Sequence, residues 1–114
     1  MLNPLTFMRK RGVRSCSRRA FWEETTIAES SVAQRVDGYD YFPPDAVNWD
    51  LLEPLDHTSV WSVCPWKGVA SYFDVVVDGR RLERAAWTYR TPSDAAKHIG
   101  GHVAFWRGVH VVDA

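Results

Sequence analysis

From Val69 to Val77 the chain reads VASYFDVVV. At the two-residue period of a strand its side chains fall into two sets, Ala70, Tyr72, Asp74 and Val76 against Val69, Ser71, Phe73, Val75 and Val77. One of these faces is almost wholly apolar, which predicts a β-strand. Asp78-Gly79 then marks a tight hairpin into RRLERAAWTY, residues 80–89. Upstream, Asp37-Gly38 predicts a second hairpin between strands at 31–36 and 39–42, because both central residues of a type I′ turn need positive φ. AFWEETTIAES, residues 20–30, reads as a further hairpin with Phe21 and Ile27 on its strands and Glu23-Glu24 at its corner, or else as a helical turn.

Pro43-Pro44 ends that ladder, since neither residue donates a backbone N–H. Asp45 is placed to cap a short helical turn that carries Val47, Leu51 and Leu52 near one face before Pro54 closes it. HTSVWSV, residues 57–63, reads as a β-branched strand. Ser93 is placed as the N-cap of a short helix through DAAKHIGG, with an acid in its first turn, a histidine in its last and glycine beyond. Two final strands, HVAFW and VHVV, flank Arg107-Gly108. The pattern predicts a mainly β fold: a single small antiparallel domain of roughly eight or nine short strands and two helical turns, closed in a barrel-like manner or as folded sheets so that few edges stay open.

Length and composition fit that reading. A chain of 114 residues suits one domain with a modest core, and 46% hydrophobic with 25% charged residues is ordinary for a globular protein. No apolar run approaches the roughly 18 residues of a membrane span. Six tryptophans, at 22, 49, 61, 66, 87 and 106, are many for this length, and some should line something other than core.

Fourteen basic and fourteen acidic residues cancel, which removes any general attraction to nucleic acid or an acidic membrane. Their distribution is uneven. Arg9, Lys10, Arg11, Arg14, Arg18 and Arg19 all precede the first acid, Glu23. Residues 1–19 are therefore expected to form a basic, flexible N-terminal tail, with an organellar presequence and a phosphate-contacting arm as alternatives, and residues 20–114 the β domain. A secretory signal is not expected, since no apolar stretch of roughly 7–15 residues follows the charges.

Cys16 and Cys64 lie far apart in sequence and suggest neither a disulfide framework nor a zinc cluster, so a reducing compartment is expected. His57, His98, His102 and His110 show no metal-ligand spacing. No metal and no cofactor are expected.

Five motifs in order, IAES, YFPP, CPWKGVASYF, AAWTY and IGGHVAFWRGV, closely resemble the domain-of-unknown-function 427 family, which also carries a nucleotidyltransferase-like label. The resemblance covers residues 20–112. It implies a small mainly β fold, related to β-tent folds whose bent sheets enclose a pocket, and a cytoplasmic protein, without implying a settled activity. Three features depart from the family pattern. Residues 1–19 have no counterpart, Glu23-Glu24 stands where the family has Asn-Gly, and the stretch from Asp56 to Cys64 is about three residues longer, forming either a loop that carries Trp61 over a pocket or a strand bulge.

Candidate chemistry centres on the Cys64–Gly68 turn. Cys64 becomes a nucleophile if a nearby cation such as Lys67 favours its thiolate, with His57 or His102 as the available base, whereas a buried cysteine is inert. Cys64, Lys67 and His102 are thus the catalytic candidates. Lys67-Gly68 lacks the glycine frame of a phosphate-binding P-loop, and Asp74 and Asp78 fall on a strand and a turn, a poor arrangement for paired metal-binding carboxylates.

Trp66, Tyr72, Trp87, Tyr89 and Tyr41, with Lys67 and Glu29, make an inventory suited to an aromatic-lined pocket that binds a small molecule or nucleotide-like ligand. The structural alternative is that the rings form core, each indole N–H finding a backbone acceptor, while Glu29 pairs with Lys67 or an arginine and His102 caps a strand end. Three functional readings stand: a ligand-binding module, an enzyme of nucleotidyl or other group transfer using Cys64 or Lys67, and an interaction domain with an exposed apolar patch. A monomer or homodimer suits any of them.

Overall fold

The computed structural model describes residues 14–55, 61–64 and 66–114. Among these, nine strands follow one another: β1 (Arg14–Trp22), β2 (Thr25–Val36), β3 (Tyr39–Tyr41), β4 (Leu52–Pro54), β5 (Trp61–Cys64), β6 (Gly68–Val77), β7 (Arg80–Thr88), β8 (Val103–Phe105) and β9 (His110–Asp113). Among the described residues all pairings between these strands are antiparallel. One sheet has the order β3-β2-β1-β9 and the other β4-β6-β7-β8, with β5 following β4 along the same edge of β6. Phe42 and Val103 exchange backbone hydrogen bonds of 2.8 and 2.9 Å, which stitches the end of β3 to β8 and makes the two sheets one folded surface.

The main core lies where the sheets face each other and includes Ile27, Phe42, Phe73, Val75, Val103 and Phe105. On the core face aromatic residues and alanine alternate across the strands, Phe73 pairing with Ala86 and Ala86 with Phe105, so the large rings fit against a methyl group. On the other face Trp87 pairs with Tyr72 on one side and Ala104 on the other. A second cluster, containing Val36, Tyr41, Ala70, Trp87, Tyr89 and Ile99, packs on the opposite face of β6 and β7.

Two-sided burial alters the reading of β6. Phe73 and Val75 enter the main core as the alternation implies, but Val69 of the same set is 48% exposed, while Ala70 and Tyr72 serve the second cluster. The register shift between Phe73 and Val75 places the extra residues on β7, where 83–85 face Asp74 alone and Arg84 takes φ +52°. The Asp74 carboxylate accepts the Arg84 backbone N–H at 2.9 Å and Arg81 Nη1 at 2.6 Å.

The hairpins follow their turn residues. Asp37 and Gly38 have φ of +52° and +83°, and Asp78 and Gly79 repeat the pattern at +50° and +78°. Glu23-Glu24 also closes a hairpin, between Trp22 and Thr25, with Glu23 at φ +55°.

Several local expectations change. Residues 14–19, read as the end of a tail, form most of β1: strand pairing to β2 and β9 holds the backbone, and Arg18 meets the carboxylates of Asp40 and Asp113. Asp45 does not cap; it sits in the first turn of a 3₁₀ segment, Pro44–Ala46, and Asn48 caps the next one, Trp49–Leu51, by accepting from Asp50 N. Ser93 precedes a third 3₁₀ segment, Asp94–Ile99, but its hydroxyl donates to the Trp66 carbonyl instead of capping. Residues 1–13, the segment 56–60 with His57 and the first part of the HTSVWSV strand, Pro65, and the side chain of Trp61 lie outside the described residues.

Candidate functional site

The β5–β6 turn is held by backbone before any side chain acts. Ser93 N donates to the Lys67 carbonyl at 3.0 Å, and Gly68, at φ +115°, lies so close to Thr91, Pro92 and Ser93 that an added Cβ would meet their backbone at 3.4–3.5 Å. The backbone conformation requires glycine, while the space would admit a Cβ in ordinary van der Waals contact. This anchoring aims Lys67 inward, beneath the second cluster.

The Lys67 side chain is only 8% exposed and its Nζ lies 2.8 Å from Asp37 Oδ2. Three rings surround the ammonium, with centroids at 5.1 Å for Trp66, 5.8 Å for Tyr89 and 6.0 Å for Tyr41, all within cation–π range. Trp66 Nε1 donates to the same Asp37 oxygen at 3.2 Å. Asp37 therefore closes the site from the β2–β3 turn, its side chain 53% exposed.

Behind these groups Trp87 Nε1 donates to the Tyr41 hydroxyl at 3.3 Å, and Tyr39 and Trp106 pack edge-on to Trp87 at 4.9 and 5.1 Å. Acceptor choice separates the indoles. Trp49 and Trp106 donate to the backbone carbonyls of Pro44 and Arg84, as a structural role predicts, whereas Trp66 and Trp87 donate to the side chains of the cluster itself.

Electrostatics follow the packing. The hydrogen bond from Lys67 holds the Asp37 carboxyl below its ordinary range, outweighing a smaller opposing effect of burial. Burial raises the Tyr41 phenol, and burial together with the neighbouring Tyr41 pushes Tyr89 up to about 12. Both phenols are neutral donors at ordinary pH.

A family model for a domain of unknown function, DUF427, matches residues 14–114. The chain belongs to the DUF427 family. The match takes in β1 from its first residue, so six residues expected to lack a family counterpart have one. No curated protein matches this DUF427 chain.

Of the residues singled out in the sequence, Trp66, Lys67, Tyr41, Trp87 and Tyr89 converge, and Tyr72 and Cys64 pack against the same cluster. Glu29 does not join them. It is exposed on β2 opposite Arg19, and the carboxylate on Lys67 is that of Asp37. His102 has a backbone role: its Nδ1 lies 3.2 Å from the Gly100 carbonyl, and its own carbonyl accepts from Thr88. Asp37 escaped notice because an aspartate before glycine is already accounted for by the turn.

A cavity of about 310 Å³ opens elsewhere, on the Phe73 face of the second sheet. Its described lining includes none of the converging residues. Cys16 and Cys64 are free thiols, and among the described residues no helix is long and apolar enough to cross a membrane.

Proposed function

We propose that this DUF427 domain is a cytoplasmic ligand-binding module that takes a small planar anion, nucleotide-like molecules included, at the mouth formed by Asp37, Trp66 and Lys67. One observation carries the reading: a nearly buried ammonium ringed by three aromatic faces is closed off by a carboxylate on a half-exposed turn. An anionic ligand group replaces the Asp37 carboxylate on Lys67, and the freed face of Trp66, already 39% exposed, stacks on the ligand ring. Swinging the β2–β3 turn aside exchanges one anion for another, so the ammonium is never left unpaired.

The enzymatic alternative rests on Cys64, which packs against the same cluster. A thiol-probe titration separates it, since reactivity no higher than that of a free thiol removes Cys64 as a nucleophile.

Tryptophan fluorescence titrated with a panel of nucleotides and aromatic acids tests the binding reading. A ligand should quench the wild-type protein and not Trp66→Ala, and should lose affinity in Lys67→Met. If no ligand on the panel distinguishes wild type from these variants, the module has no site here.

A further inference from the structure

Strand alternation gives β6 and β7 a second functional face. Tyr72, Trp87 and Tyr89 point into the aromatic cluster, while Phe73, Thr88 and Arg90, each one residue along, point to the other side and line the cavity of about 310 Å³. We propose that this cavity is a separate binding site for a small hydrophobic carboxylate.

The walls define the ligand. Trp49, Leu52, Pro54 and Phe73 supply apolar and aromatic surface, with the Trp49 and Phe73 rings 5.7 Å apart and tilted by 68°. The wall donors other than Arg90 are committed: Trp49 Nε1 to the Pro44 carbonyl at 2.8 Å, the Thr88 hydroxyl to the His102 carbonyl at 2.7 Å, and Gly101 N to the Tyr89 carbonyl at 3.0 Å.

Arg90 differs. Its guanidinium lies 6.0 Å over the Phe73 ring and, among the described residues, has no carboxylate partner. Arg18, Arg35, Arg80 and Arg81 each hold one, while Arg19, Arg84 and Arg107, like the exposed Arg90, hold none among the described residues; Arg90 alone of these lines the cavity. The described cavity thus offers greasy walls and one uncommitted fork of donors, the complement of a hydrophobic group bearing a single carboxylate. Its volume sits at the low end of small-ligand pockets, roughly 300–1,000 Å³, so the occupant is monocyclic in size, smaller than a nucleotide.

Phenylacetate and its neutral amide, phenylacetamide, titrated into the full chain and followed by backbone NMR, provide the test. Phenylacetate should shift the amide signals of Thr88 and Gly101 saturably, and phenylacetamide should bind about tenfold more weakly or worse. Arg90→Met should bring phenylacetate down to the affinity of the amide and leave the amide unchanged, while Trp49→Ala should weaken both; retained spectral dispersion verifies that each variant folds. The proposal is overturned if phenylacetate up to about 10 mM leaves Thr88 and Gly101 unmoved. It is equally overturned if Arg90→Met binds phenylacetate like wild type, or if the shifts fall on Asp37 and Lys67 instead.

Discussion

The ammonium of Lys67 meets the carboxylate of Asp37 at 2.8 Å, tying the β5–β6 turn to the tip of the β2–β3 hairpin across thirty positions of sequence. Two turns set by independent local signals are thereby locked into one site.

Asp37→Asn isolates the charge in that pair, because asparagine suits the same positive φ in the turn. It should lower stability by about 1–2 kcal/mol in urea unfolding, since a nearly buried ammonium loses its anion while solvent at the exposed Asp37 side relieves part of the cost. Lys67→Met should cost less, as it leaves no buried cation behind. The reverse ranking would show that the pair does not govern this turn.

The same contact sets an acid dependence. The Asp37 carboxyl titrates lower in the folded state than in the unfolded one, so its contribution is fully present above about pH 4 and is lost as the pH falls through the folded value. The stability gap between wild type and Asp37→Asn should close over that interval. A gap that stays constant down to about pH 2 would contradict the assignment.

Tyr89 gives the opposite limb. Its phenol is raised to about 12, so the stability it contributes is present below the ordinary phenol value near 10 and is lost as the pH rises through about 12. Ultraviolet titration should show a late-ionising tyrosine that vanishes in Tyr89→Phe, and unfolding of that variant should depend less on pH over this range.

Gly68→Ala should cost about 1–3 kcal/mol, because alanine at φ +115° is strained, although its methyl would meet the backbone of Thr91–Ser93 only in ordinary contact. Gly38→Ala is the control. Its φ is +83° and nothing lies within 4 Å of the added carbon, so it should cost only about 1 kcal/mol. Equal losses in the two denaturation midpoints would mean that φ +115° at Gly68 strains alanine no more than φ +83° at Gly38.

Asp74→Ala should destabilise by about 2–4 kcal/mol, since it strips the Arg84 backbone N–H of its acceptor within the β6–β7 bulge and leaves the Arg81 guanidinium with Glu53 alone. Asp74→Asn keeps one acceptor oxygen and should fall between that variant and wild type in thermal unfolding.

The sequence by itself determined the mainly β class, both Asp-Gly hairpins and most of the ring inventory around Lys67, because period-two alternation and positive-φ turn residues are local physics written within a few positions. It did not reveal that residues 14–19 belong to β1, since that strand is held by pairing to β2 and β9 and by Arg18 meeting Asp40 of β3 and Asp113 of β9, partners distant in the chain. Glu29 and Asp37 show the same limit: only the tertiary structure decided which carboxylate reaches Lys67, because that choice follows from where the β2–β3 turn lands when the sheets fold together. The cavity beneath Arg90 likewise exists only once β4, β6 and β7 are side by side, for a void is a property of packed neighbours and has no period in sequence.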